Sequence, residues 1–163
     1  MPVVSNTSPL SNLAIIGRLD LLRDRYGGVL IHPMVHQELA ALSHPLAKAR
    51  IEEALREGWL RIEPLAAGAE AVALPGDLDP GESEAIRLCL HLSAEKLILD
   101  DALGRTVARQ MGLQFTGLLG ELVFAKLAGR IRTVRAEIDR LRVEARFFVS
   151  AEVEAVILAQ AGE

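Results

Sequence analysis

Glu38, Glu82, Asp100 and Asp101 are remote from one another in sequence, yet each stands where a short apolar run meets a helix. Glu38 lies in His32-Pro33-Met34-Val35-His36-Gln37-Glu38-Leu39, and Glu82 lies in Asp79-Pro80-Gly81-Glu82-Ser83-Glu84-Ala85-Ile86. Asp100 and Asp101 end the run Lys96-Leu97-Ile98-Leu99. Another apolar run, Pro2-Val3-Val4, ends in Ser5-Asn6-Thr7-Ser8, so an amide occupies a position where the pattern leads one to look for a further carboxylate. Open α/β sheets bind ligands beyond the carboxyl ends of their strands. Carboxylates gathered there suit a hard divalent cation, and a donor set made only of oxygen favours Mg2+ or Mn2+ over Zn2+. Such a cation lowers the pKa of bound water and polarises a phosphoryl oxygen, the chemistry of phosphodiester hydrolysis.

Taken singly, each acid has a local explanation. Glu82 follows Asp79 by three residues with Pro80 between them, close to a capping box. Asp100 or Asp101 can cap a helix beginning at Ala102. Glu38 can sit on the wet face of its own helix. The set is harder to explain this way, because carboxylates crowded at one sheet edge repel one another, and a divalent ion offsets that repulsion.

The elements that would position these residues can be read from pattern. Val-rich Pro2 to Ser5, Val29 to Ile31, Trp59 to Ile62, Lys96 to Leu99 and Leu113 to Phe115 read as short strands. Ser8-Pro9, Pro33, Pro45 and Pro80 open helices, and Gly17, Gly58, Gly112 and Gly129 interrupt or stop them. Helices are expected from Pro45 to Arg56, Pro80 to His91, Ala102 to Met111, Gly117 to Leu127, Val134 to Ala145 and Ser150 to Ala161. The stretch from Glu63 to Leu78 reads as an irregular connection. Strand and helix in alternation mean a mostly parallel sheet covered on both faces. No linker divides the chain, so residues 1–163 read as one domain, with 133–163 a helical extension.

Composition limits the function classes. Half of the 163 residues are hydrophobic and only 4% aromatic, so one aliphatic core can be filled. The single cysteine, Cys89, excludes an internal disulfide and suits a reducing compartment. No apolar run is long enough to cross a bilayer and no leader pattern opens the chain, so a cytoplasmic, membrane-free protein is expected. Net charge is −4, against a broad basic surface. From Lys126 to Arg146, however, seven basic residues face three acidic ones, so this segment carries +4 and the rest −8. That segment either meets a phosphate backbone or is a solvated face laced with ion pairs. His32 and His36 are four apart, but Pro33 puts His32 at a cap and no cysteine joins them, which weighs against zinc. Phosphate-loop, dinucleotide-fingerprint and nucleophile-elbow patterns are all lacking. Phe147-Phe148 directly precedes an apolar helix and reads as core rather than as a base-stacking platform. Val134, Ile138, Leu141 and Ala145, then Val153, Val156, Ile157 and Leu158, either complete the core or pair two subunits, so a homodimer is expected.

The order and spacing of Val3-Val4-Ser5-Asn6-Thr7-Ser8-Pro9-Leu10, Pro33-Met34-Val35-His36-Gln37-Glu38-Leu39, Gly81-Glu82-Ser83-Glu84-Ala85-Ile86, Leu97-Ile98-Leu99-Asp100-Asp101 and Thr116-Gly117-Leu118-Leu119-Gly120 resemble the PIN-domain family of metal-dependent ribonucleases, in a prokaryotic branch of it. The resemblance implies a three-layer α/β/α sandwich and an endoribonuclease that uses Mg2+ or Mn2+. By position, the family's first aspartate falls on Asn6, the second acid on Glu38, the third on Glu82 with Glu84 as an alternative, and the fourth on Asp101 with Asp100 beside it. It implies Glu38, Glu82 and Asp101 as catalytic residues, Asn6 and Asp100 as further metal ligands, and Thr7 and Thr116 as supporting hydroxyls. Arg105, Arg109, Lys126 and Arg130 would steer RNA phosphates. The family also includes toxins whose small antitoxin partner covers the site. Asn6 departs from the pattern: its carbonyl can ligate Mg2+ but brings no charge and cannot serve as a base. The alternative is therefore a weakly active or non-catalytic module that binds nucleic acid or protein.

Overall fold

The computed structural model describes residues 1–69 and 72–163. Five short strands, β1 (Val3–Ser5), β2 (Val29–Ile31), β3 (Leu60–Ile62), β4 (Lys96–Ile98) and β5 (Phe115–Thr116), form one sheet in the order β3-β2-β1-β4-β5. Every pairing is parallel, with Val4 beside Leu30 and Leu97, Leu30 beside Arg61, and Leu97 beside Phe115. The order reverses at β1, so the crevice at the carboxyl ends of β1 and β4 is the switch point of the sheet.

Nine helices cover the sheet among the described residues: α1 (Thr7–Ile15), α2 (Asp20–Tyr26), α3 (Pro33–Ala40), α4 (Pro45–Glu57), α5 (Pro80–His91), α6 (Ala102–Gln110), α7 (Leu118–Leu127), α8 (Val134–Glu144) and α9 (Ala151–Gln160). Their starts follow from local chemistry. His32 and His44 cap α3 and α4 by accepting the Met34 and Ala47 N–H groups at Nδ1, each followed by proline. Ser150 caps α9 and Thr133 caps α8. The expected strand bounds shift by a residue or two: β3 begins at Leu60 rather than Trp59, β4 ends at Ile98, and β5 is Phe115–Thr116 rather than Leu113 to Phe115. The expected irregular connection from Glu63 to Leu78 includes residues 70 and 71, which lie outside the described residues.

Alternation along the strands builds two cores. Val3, Val29, Ile31, Leu60 and Ile98 point to one face, where they pack with α1–α4, α7 and α8. Val4, Leu97 and Leu99 point to the other and pack with Ala85, Ile86, Leu88 and Cys89 of α5 and Val107 and Ala108 of α6. The result is a three-layer α/β/α sandwich. Cys89 lies fully inside the second core, and burial raises its thiol pKa to about 11. In the C-terminal helices Val134, Ile138, Leu141 and Leu158 join the first core, whereas Val153 and Val156 remain exposed.

The basic segment is largely neutralised. Arg140 pairs with Glu144 and Glu137, Arg142 with Asp139 and Glu154, Arg135 with Glu154, and Arg18 with Glu137. This is the ion-paired face rather than a free phosphate-binding stripe.

Candidate active site

β1 delivers Asn6 to the carboxyl edge of the sheet. Its N–H donates to the Ile98 carbonyl at 3.0 Å, extending the β1–β4 pairing by one bond. Asn6 is the N-cap of α1 in extended backbone geometry, the position where an asparagine side chain ordinarily satisfies a helix N–H. It makes no such bond; Oδ1 is buried and has no partner among the described residues. A buried carbonyl left in this state is disfavoured by about 1–3 kcal/mol, so the arrangement asks for a ligand.

Thr7 follows Asn6 and donates its hydroxyl to Oε2 of Glu38. The same carboxylate lies against Gly81: a Cβ on Gly81 would come to 2.6 Å from Oε2 of Glu38 and 2.8 Å from its Cδ. A side chain there would push the Glu38 carboxylate out of this position. Gly81 precedes Glu82 at the start of α5. Asp79 accepts the Glu82 N–H at 2.8 Å, and Oε2 of Glu82 accepts the Asp79 N–H at 3.3 Å, the capping box expected from the spacing. The local explanation and the functional one thus coexist. Glu82 is only 8% exposed. Burial first, then the negative charges of Asp79 and Asp101, push its pKa up to about 7.

Asp100 and Asp101 separate. Asp101 is exposed, caps α6 by accepting the Gly104 N–H at 2.8 Å, and acts on Glu82 by charge. Asp100 turns toward the β5–α7 connection, where Oδ1 accepts the Leu118 N–H at 2.8 Å and Oδ2 is buried with no partner among the described residues. Burial raises its pKa, against the lowering effects of the Leu118 N–H and the Arg105 guanidinium. Gly117 closes this corner: a Cβ there would come to 2.6 Å from Oδ1 of Asp100 and would overlap the Arg105 guanidinium. Thr116 ends β5 on the same side.

Contacts and charge therefore link Asn6, Thr7, Glu38, Glu82 and Asp101 along one edge, with Asp100 and Thr116 beside it. The set is open rather than closed: among the described residues no three His, Cys, Asp or Glu side chains stand together as a metal cage. The physical reason is visible in the bonding. Each carboxylate accepts from its own nearby donor: Thr7 Oγ1, Asp79 N–H, Gly104 N–H or Leu118 N–H. The donor chemistry fits a hard divalent cation, being all oxygen and including the unpartnered neutral carbonyl of Asn6. Glu84 does not belong to this group; it pairs with Arg87 at 2.7 Å and with His32 at 3.5 Å.

The basic residues divide in two. Arg105 donates from Nε to the Leu99 carbonyl at 2.9 Å, and Arg105 and Arg109 stand 5.7 and 5.3 Å from the Phe115 ring centre, one and two turns beyond Asp101. Lys126 and Arg130 lie at and beyond the far end of α7, paired with Glu163 and Asp24 at 3.7 and 3.6 Å, and are not brought to the edge.

Two features escaped the sequence reading. Phe148 is 85% exposed, not core, while Phe147 packs inward against the first core. The reason is a left-handed residue, Arg146 (φ +52°), which turns the chain before the phenylalanines; no glycine marks it in the sequence. The second feature is Glu121, 2% exposed in an apolar helix, which accepts from Tyr26 Oη at 2.6 Å and pairs with Arg25 at 2.9 Å. That cluster clamps α2 to α7.

Comparison with known proteins bears on this geometry. A PilT N-terminus domain protein from the hyperthermophilic archaeon Sulfolobus solfataricus P2 shares the fold, with a TM-score of 0.53 and 21% identity over 77% of this chain and 93% of that one. No curated protein matches the chain. A family model, DUF3368, described as a PIN domain, matches residues 2–163. With nearly every residue inside that match, and with the sheet order and edge acids described above, the chain belongs to the PIN-domain family.

Proposed function

We propose that this PIN domain is an endoribonuclease that uses Mg2+ or Mn2+ to hydrolyse RNA phosphodiester bonds at the carboxyl edge of its sheet. Members of the family are generally nucleases and generally use divalent metals. The observation that supports the proposal is the unpartnered buried carbonyl of Asn6 at the carboxyl end of β1, on the sheet edge where Glu38 packs against Gly81 and the charge of Asp101 acts on Glu82. Glu38, Glu82 and Asp101 would hold the cation with Asn6, and Asp100 would stand by on the β5 side. The cation supplies an activated water and stabilises charge on the phosphoryl group. The chain's own part is orientation. Thr7 fixes Glu38, the capping box fixes Glu82, and the Gly104 N–H fixes Asp101. Arg105 and Arg109 supply positive charge for the phosphates flanking the reacting one.

The test is cleavage of labelled RNA with Mn2+, beside calorimetric titration of the metal. Saturable Mn2+ binding and cleavage lost in Glu82→Gln support the proposal. Absence of binding at millimolar Mn2+ together with an inert Asp101→Asn overturns it.

A second reading is favoured by one residue. Asn6 removes a charge from the first ligand position, which suits a binding module with little hydrolysis. Cleavage that appears only in Asn6→Asp would select it. The toxin role and a homodimer rest on the resemblance and on the exposed apolar residues of α9. A small co-transcribed upstream reading frame and a light-scattering mass test them in turn.

A further inference from the structure

A cleft of about 530 Å3 opens directly beside the acidic edge, on the β5 side. Asp100, Arg105, Phe115 and Thr116 line it from the sheet edge and α6, and Phe147 and Phe148 from the segment after α8. Phe148 is the unusual member. A phenylalanine 85% exposed gains nothing from folding, yet the segment carrying it is held firmly. The Phe147 N–H donates to the Leu141 carbonyl at 3.1 Å, and Arg142 donates to the Val149 carbonyl at 3.1 Å. Val149 is buried, and Arg146 is kept in left-handed geometry just upstream. The ring is thus displayed on a pinned backbone, which lowers the entropy lost when a flat ligand stacks on it.

Arg105 reaches the cleft from α6, where Asp101, Arg105 and Arg109 follow one another at intervals of four residues and so share a face. Both arginines lean on Phe115. The helix face therefore carries charge from Asp101 through Arg105, in the cleft lining, to Arg109 beyond it, and Phe148 adds an exposed aromatic ring to the same lining. That combination of a cationic path for phosphates and an aromatic platform for bases is the physical requirement for holding an unpaired nucleic-acid strand.

We propose that this cleft is a subsite for the base of a single-stranded RNA nucleotide next to the scissile phosphate, with Phe148 as its stacking platform and Arg105 and Arg109 as its phosphate contacts. The proposal rests on the ribonuclease reading for the identity of its ligand, and it extends the site to a residue that touches no metal. It implies that an unpaired strand binds better than a duplex, because a paired base cannot reach the ring.

The experiment is fluorescence anisotropy in EDTA, using the full chain and a labelled oligouridylate of about eight nucleotides. Phe148→Ala weakens binding about tenfold, Phe148→Trp restores it, and the slope of affinity against salt is the same in all three because no charge changes. Arg109→Ala lowers that slope by about one. An abasic oligonucleotide of equal length binds the native protein and Phe148→Ala alike. Equal affinity of native protein and Phe148→Ala for the oligouridylate overturns the proposal. So does an equal loss with the abasic strand, or a light-scattering dimer that Phe148→Ala dissociates without changing RNA affinity. Because no metal is present, failure of cleavage in the Mn2+ assay leaves this measurement intact, and the two readings fail separately.

Discussion

Replacing Glu82 with glutamine isolates the electrostatics of the acidic edge. Glutamine can still accept the Asp79 N–H, so the capping box survives and only the charge is lost. In the native protein the Glu82 pKa is raised from 4.5 to about 7 by burial and by the charges of Asp79 and Asp101. That gap corresponds to about 3 kcal/mol, and solvent reaching the open edge reduces it to about 2 kcal/mol. The sign follows from linkage. The folded state binds this proton more tightly than the unfolded state, so Glu82 favours folding most below pH 4.5 and loses that contribution as pH rises through 7. Urea unfolding in EDTA should give the native protein and Glu82→Gln nearly equal stability near pH 4.5. At pH 8 the variant should be more stable by about 2 kcal/mol. Saturating Mn2+ reverses the order, since a cation at a hundred times its Kd adds about 2.7 kcal/mol to the native protein alone. A variant that gains nothing between pH 4.5 and 8, or a native protein that gains on it as pH rises without metal, refutes this account of the edge.

Other substitutions probe neighbouring features. Gly81→Ala drives a methyl into the Glu38 carboxylate, and calorimetry should show Mn2+ binding weakened at least about tenfold with the far-ultraviolet circular dichroism unchanged. Asn6→Asp should tighten Mn2+ binding and, without metal, raise the Glu82 pKa further, measurable by carboxyl-resolved NMR titration. Tyr26→Phe removes the hydroxyl that Glu121 accepts from and should cost about 1–3 kcal/mol in urea unfolding, with Mn2+ affinity untouched.

Much of this architecture was legible in the sequence because its signals are local. Proline after a capping residue marks α3, α4 and α5, and β-branched runs mark β1 and β2. Asp79 and Glu82 announce their box by spacing alone. The edge was legible as a set of residue types at strand ends, but its internal order was not. Nothing local says that Asp101 turns toward Glu82 while Asp100 turns away, because both orientations leave a carboxylate capping a backbone N–H. Lys126 and Arg130 resembled phosphate contacts until tertiary structure supplied Glu163 and Asp24. Phe148 was misread because an apolar pair before an apolar helix ordinarily goes inward. One left-handed arginine, just past the C-cap of α8, reverses it.

The chain carries its own reporter of opening. Cys89 is the sole sulfhydryl and is sealed between α5 and the sheet, so reagents such as dithionitrobenzoate can modify it only after the layer behind β1 and β4 lifts away. The modification rate then reads the frequency of that excursion without any label being introduced, and its slowing by a bound ion or oligonucleotide would show how far the front of the sheet restrains its back.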